Sequence, residues 1–140
     1  MFGEELDDDV ADALQEAIDA VADQAPGGVD DLLLLRRLLE RADDDVLKAL
    51  GSRARVLLRA ADEATAALGS SPRPVPSADD VVRFAASEAW ELGYSSRIGA
   101  IHVVLALFAF HGSASSDVFA ACGVEWRALR SIVRRLGLGW

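Results

Sequence analysis

Apolar residues recur along this chain at spacings of three and four, the pattern of helices that bury one face. Leu6, Val10, Ala13, Leu14, Ala17 and Val21 form such a stripe and predict a first helix from about Glu5 to Gln24. Asp7, Asp8 and Asp9 fall in its first turn, where carboxylates favour the positive end of the helix dipole. Pro26-Gly27-Gly28 breaks it. A second helix is expected over about 29–41, then a short third one behind Asp43-Asp44-Asp45 and stopped at Gly51. A fourth runs over about 53–68 and ends at Gly69. Residues 70–76 hold three of the four prolines and are expected to form a stiff, extended linker. Ser77-Ala78-Asp79-Asp80 then opens a second set with a capping-box pattern. Its helices are expected over about 78–92, 98–110, 115–122 and 124–136. No strand-like alternation competes, so the fold class is all-α with about eight helices.

The second set of signals repeats the first. Shifted by 72 residues, positions 5–68 align with 77–140 without a gap, and 16 of the 64 pairs are identical. Asp7-Asp8 meets Asp79-Asp80, Glu16-Ala17 meets Glu88-Ala89, and Leu33 and Leu35 meet Leu105 and Leu107. Asp45-Val46, Ala49 and Gly51 meet Asp117-Val118, Ala121 and Gly123. A repeat of this period has to be read before any single residue, because it sets the architecture. It predicts two pseudo-symmetric four-helix units, 5–68 and 77–140, packed as one domain over 1–140. Residue n should superpose on n + 72, with Leu33, Leu35, Leu105 and Leu107 all buried.

Composition narrows the function classes. Hydrophobic residues make up 51% of the chain, enough for a core. No apolar run reaches the roughly 18–20 residues of a membrane span, and the acidic start does not resemble a secretory leader. The single Cys122 allows no intramolecular disulfide and fits a reducing compartment, so a cytoplasmic location and a small core role for that thiol are expected. The net charge of −9 is uneven: residues 1–70 carry 17 acids and 7 bases, residues 71–140 carry 6 acids and 7 bases. Such an acidic excess argues against general nucleic-acid binding, which needs a basic footprint. His102, His111 and Cys122 are scattered without zinc spacing, and the Asp43–Asp45 run lacks the Gly and Glu of a calcium loop. No phosphate-binding loop and no nucleophile motif occurs in the sequence, so neither an enzyme nor a cofactor is expected.

The second repeat resembles the Clp repeat, the unit found in pairs at the N-terminus of ClpA- and ClpC-type AAA+ unfoldases. Glu88-Ala89-Trp90-Glu91-Leu92-Gly93 is similar to that family's E-A-x-x-L-G helix end. Ile98-Gly99-Ala100-Ile101-His102-Val103-Val104-Leu105-Ala106-Leu107 resembles I-G-T-E-H-x-L-L-G-L, and Val118-Phe119-Ala120-Ala121-Cys122-Gly123-Val124 resembles V-L-x-x-L-G-V. Leu129 to Val133 resembles the closing helix, and Met1-Phe2-Gly3 the ClpC beginning. The first repeat is recognisable mainly through the duplication. The resemblance implies a domain that receives substrates, adaptors and, in some ClpC proteins, phosphorylated arginine, here without the ATPase modules. That phosphoarginine site uses the Glu of G-T-E-H in each repeat. Here Ile101 stands in its place in the second repeat, and Val29 in the first by the gapless register, or Asp30 after a one-residue shift. The accompanying Thr positions correspond to about Gly3 and Val75. A guanidinium has five donors and finds no acceptor on Ile or Val, so phosphoarginine binding is not expected.

The ligand groove that the resemblance implies would involve Phe2, Val29, Asp30, Val75 and Ile101, and in this family such a groove takes cyclic-peptide antibiotics. Arg127, Arg130 and Arg134 recur on one stretch of the last helix and, with Trp140, are candidates for docking a protein partner. Two functions follow. The first is a non-enzymatic module that binds Clp substrates, adaptors or hydrophobic and cyclic peptides and so modulates Clp proteolysis. The second is a self-associating subunit, or one that docks in trans on a Clp ATPase.

Overall fold

The computed structural model describes residues 6–69, 73–93 and 97–137. Among them are eight α-helices and no strand: α1 Asp8–Ala20, α2 Asp31–Glu40, α3 Asp44–Leu50, α4 Arg53–Leu68, α5 Ala78–Gly93, α6 Ala100–Leu107, α7 Ala114–Ala121 and α8 Trp126–Leu136. The all-α expectation holds helix by helix. Local chemistry sets the ends: Asp30, Asp43 and Ser113 cap α2, α3 and α7 by accepting the N–H of Leu33, Val46 and Ser116. Gly51, Gly69 and Gly137 follow α3, α4 and α8 with positive φ, a conformation that costs glycine little. The first helix is shorter than its apolar stripe predicts, because residues 21–24 continue as turns.

α6 is the centre of the molecule. Every residue from Ala100 to Leu107 is buried, which explains why its sequence shows no polar face. It packs on α5, α2, α3 and α8, while α2 also holds α1 and α4. The two sets of four interleave: α4 lies on α7, and α3 lies on α8.

The gapless 72-residue register does not survive intact. It fits the burial of α1 and α5 (Leu6/Ala78, Ala13/Ala85, Ala17/Ala89) and of α4 and α8 (Leu57/Leu129, Ala61/Val133). In the middle no single offset fits. The N-caps Asp30 and Gly99 lie 69 apart and Asp43 and Ser113 lie 70 apart, while the positive-φ glycines Gly51 and Gly123 keep the spacing of 72. Leu33 is half-buried while Leu105 is buried, and Ala49 is buried while Ala121 is exposed. Leu35 and Leu107 are buried as expected. Offsets of 69 and 72 differ by close to one helical turn of 3.6, so both leave the apolar faces nearly in phase.

Residues 73–76 are not a free-standing linker. Val29 N–H donates to the Pro76 carbonyl (2.9 Å) and Ala78 N–H to that of Gly27 (2.8 Å). A Cβ on Gly28 would come within 2.8 Å of Val75 Cγ2, so only glycine fits this close approach without a shift. The Arg73 guanidinium reaches Asp31 (2.6 Å) and Asp30 (2.7 Å), and the second oxygen of fully buried Asp31 accepts from Ser115 N–H (2.8 Å). One arginine thereby ties the inter-repeat segment to the starts of α2 and α7.

His102 is a buried histidine, as its apolar helix suggests. Its Nδ1 accepts the Gly99 N–H at 2.9 Å, so the proton sits on Nε2, which is buried without a partner. Burial pushes the imidazole below its ordinary value of 6.5, against the weaker pull of the Asp45 and Asp7 carboxylates. The unfolded chain therefore binds a proton that the fold refuses. Stability should fall as pH drops below about 6.5, by up to ~1.4 kcal/mol per pH unit, until the folded-state value is reached. His102→Gln keeps an acceptor for Gly99 and does not titrate. Denaturation midpoints between about pH 6.5 and 5 should be flatter for this variant, and an unchanged slope would refute the assignment.

Candidate functional site

An apolar concavity with open access lies where α5, the end of α6 and the start of α8 meet. It has a volume of about 390 Å³ and is lined by Phe84, Glu88, Leu105, Phe108, Ala109 and Trp126, with His111 at its side. Periodicity builds it. Phe84 and Glu88 are one turn apart on α5, and the buried face of α8 turns Trp126 toward them. Phe84 is 40% exposed and Trp126 38%, unusual for side chains of that size. Their surroundings are rigid: Phe84 meets Phe110 edge-on (5.5 Å between centroids), and Phe108 stacks on Phe119 (3.9 Å).

The polar wall is an ion cluster. Arg130 donates to Glu88 (2.8 Å) and to Glu91, and its guanidinium lies 5.3 Å over the Trp126 ring. Arg130, expected to face a partner, is thus committed inside the molecule; its side chain is 16% exposed. Arg127 and Arg134 are exposed on α8, and Trp140 lies outside the described residues.

The groove expected from the resemblance fares differently. Val29 and Ile101 are core residues with 0% and 1% exposure, so neither presents a surface to a ligand. Asp30 caps α2 and accepts from Arg73, so its carboxylate is already occupied by a guanidinium of this chain. Val75 is half-buried against Gly28, and Phe2 lies outside the described residues. The structure brings Val29, Asp30 and Val75 together through 73–76, but as packing. Cys122 is half-buried against the core, and burial pushes its thiol up, away from reactivity at neutral pH.

Reading the sequence missed Phe84, Phe108, Glu88 and His111 as site residues. A signal was there: every aromatic residue except Phe2 falls in the second half of the chain. At the 72-residue offset Phe84 stands opposite Asp12 and Trp126 opposite Ala54, so the second half gained bulk that symmetry does not require. No group of His, Cys, Asp and Glu able to hold a metal occurs among the described residues, and no helix among them is long and apolar enough to cross a membrane. No protein-family model matches the chain, and no curated protein matches it.

Proposed function

We propose that this chain is a non-enzymatic peptide- or protein-binding module of the Clp-repeat kind, which modulates Clp proteolysis by engaging substrates or adaptors. The supporting observation is the groove between α5, α6 and α8. Two large aromatic side chains stand partly exposed over an apolar floor, held by a rigid helical frame. Such a concavity, apolar with a few fixed polar groups, suits an apolar side chain of a peptide, and exposed aromatics are the common anchors of protein interfaces. The motif Ile98 to Leu107 and the repeated order of four helices support the family reading. Docking on a Clp ATPase is the second reading, and exposed Arg127 and Arg134 favour it.

Titration with short apolar peptides, followed by indole fluorescence, tests the groove. Binding in the micromolar range is expected, weakened at least tenfold (about 1.4 kcal/mol) by Phe84→Ala or Trp126→Ala. Both positions are partly exposed, so the variants should fold. Equal affinity in both variants would rule the groove out. Phosphoarginine should not compete for it. Ile101→Glu, which restores the family's carboxylate, is expected to destabilise the fold by several kcal/mol because it buries a charge without a partner. A variant that melts like wild type and binds phosphoarginine would overturn the burial argument.

A further inference from the structure

We infer that the preferred occupant of the α5–α6–α8 groove is a cationic amphipathic peptide, with an apolar or aromatic side chain between Phe84 and Trp126 and a neighbouring Lys or Arg facing Glu88. This rests on the reading of the groove as a peptide site. The side chains of the floor are apolar: Phe108 and Ala109 lie over buried Leu105 and Ala106. Charge at the wall is not balanced. Glu88 and Glu91 share the single guanidinium of Arg130, so the three groups together carry one net negative charge. Arg130 has no freedom to neutralise more, because it is held between both carboxylates and over the Trp126 ring. Arg83, beside Phe84, engages Asp80 one turn back and adds no net charge to the rim. Glu88 lines the groove with its side chain 13% exposed, and among the described residues its contact with Arg130 Nε is through Oε2. Its other oxygen leaves acceptor capacity for a second cation.

A net negative charge set against apolar walls acts over a lower effective dielectric than in bulk water. It attracts a cation and repels an anion more strongly than a surface carboxylate does. Partly exposed aromatic rings add to the discrimination, since a ring face favours a cation and an aliphatic stem alike. The ligand chemistry that satisfies floor and wall together is a hydrophobic residue next to a basic one. An acidic segment would face the same carboxylates unpaired.

The test uses three synthetic peptides of one frame, acetyl-Leu-Phe-Xaa-Leu-Xaa-amide, with Xaa as Arg, Gln or Glu. Each is titrated into the full chain and followed by indole fluorescence, with Trp126→Phe as the site control. At low salt the Arg peptide should bind about 5- to 20-fold more tightly than the Gln peptide, and the Glu peptide weakest; near 0.5 M salt the preference should shrink severalfold. Glu88→Gln keeps the shape and an acceptor for Arg130. It should abolish most of the preference for the Arg peptide over the Gln peptide. Glu91→Gln, at an exposed position, gives a second route should the first variant melt early, with a smaller loss of preference expected. If the Gln or Glu peptide binds as tightly as the Arg peptide, the charge inference fails and the peptide-site reading stands. Persistence of the full preference in both variants overturns the assignment to this carboxylate pair. Absence of binding by all three peptides up to about 1 mM overturns both readings.

Discussion

Arg73→Ala is expected to remove about 3–5 kcal/mol of stability, the usual cost of stripping one partner from a buried ion pair. Asp31 is fully buried, and among the described residues its carboxylate keeps the Ser115 N–H alone once the guanidinium has gone. Asp30 loses the same partner but retains its cap on Leu33 N–H. The damage therefore falls on Asp31. Urea denaturation should show a lower midpoint with an unchanged slope, since the surface exposed on unfolding is the same. Asp31→Asn in the Arg73→Ala background should recover part of the loss, because it removes the unpaired buried charge. A double-mutant cycle then gives the coupling directly. A loss below about 1 kcal/mol for Arg73→Ala would mean that the pair behaves like a surface salt bridge and that residues 73–76 are held by packing alone.

Leu105→Ala should cost about 2–5 kcal/mol, the sum of lost transfer energy and the cavity left behind. Leu105 is 1% exposed and sits on a helix buried on all sides, so its surroundings cannot collapse into the space without moving α5 or α8. Leu105 is packed beneath the groove and supports Phe108 and Trp126 from below, so peptide affinity should fall together with stability. Leu33→Ala is the matched control. The repeat pairs the two leucines, yet Leu33 is half-buried at the surface of α2 and should cost clearly less. Equal losses would mean that the two leucines are packed alike, against the difference in their burial.

The helices were legible because their signals are local. The stripe beginning at Leu6, the caps Asp43 and Ser77, and the glycines at 51, 69 and 123 act within a few residues of where they stand, and α4 runs over 53–68 as its pattern predicts. The repeat is legible as 16 identities at one offset of 72. Connections of different length separate α1 from α2 and α5 from α6, so no single offset relates all the helix starts. Candidate surfaces suffered more. Sequence carries residue type but not exposure, so Val29 and Ile101 looked like groove walls and are core.

What the sequence by itself determined about this protein is therefore its all-α class, the places where most of its helices start and stop, and the internal repeat, all encoded by spacings within a turn or two and by one long offset. Only the tertiary structure decided which polar groups are already occupied. Arg73 lies 42 residues from Asp31, and Arg130 lies 42 residues from Glu88. No local pattern announces such pairs, because they depend on which helices meet. The aromatic groove has the same origin: Phe84, Leu105 and Trp126 come from three helices, and their packing geometry leaves two rings partly open to water.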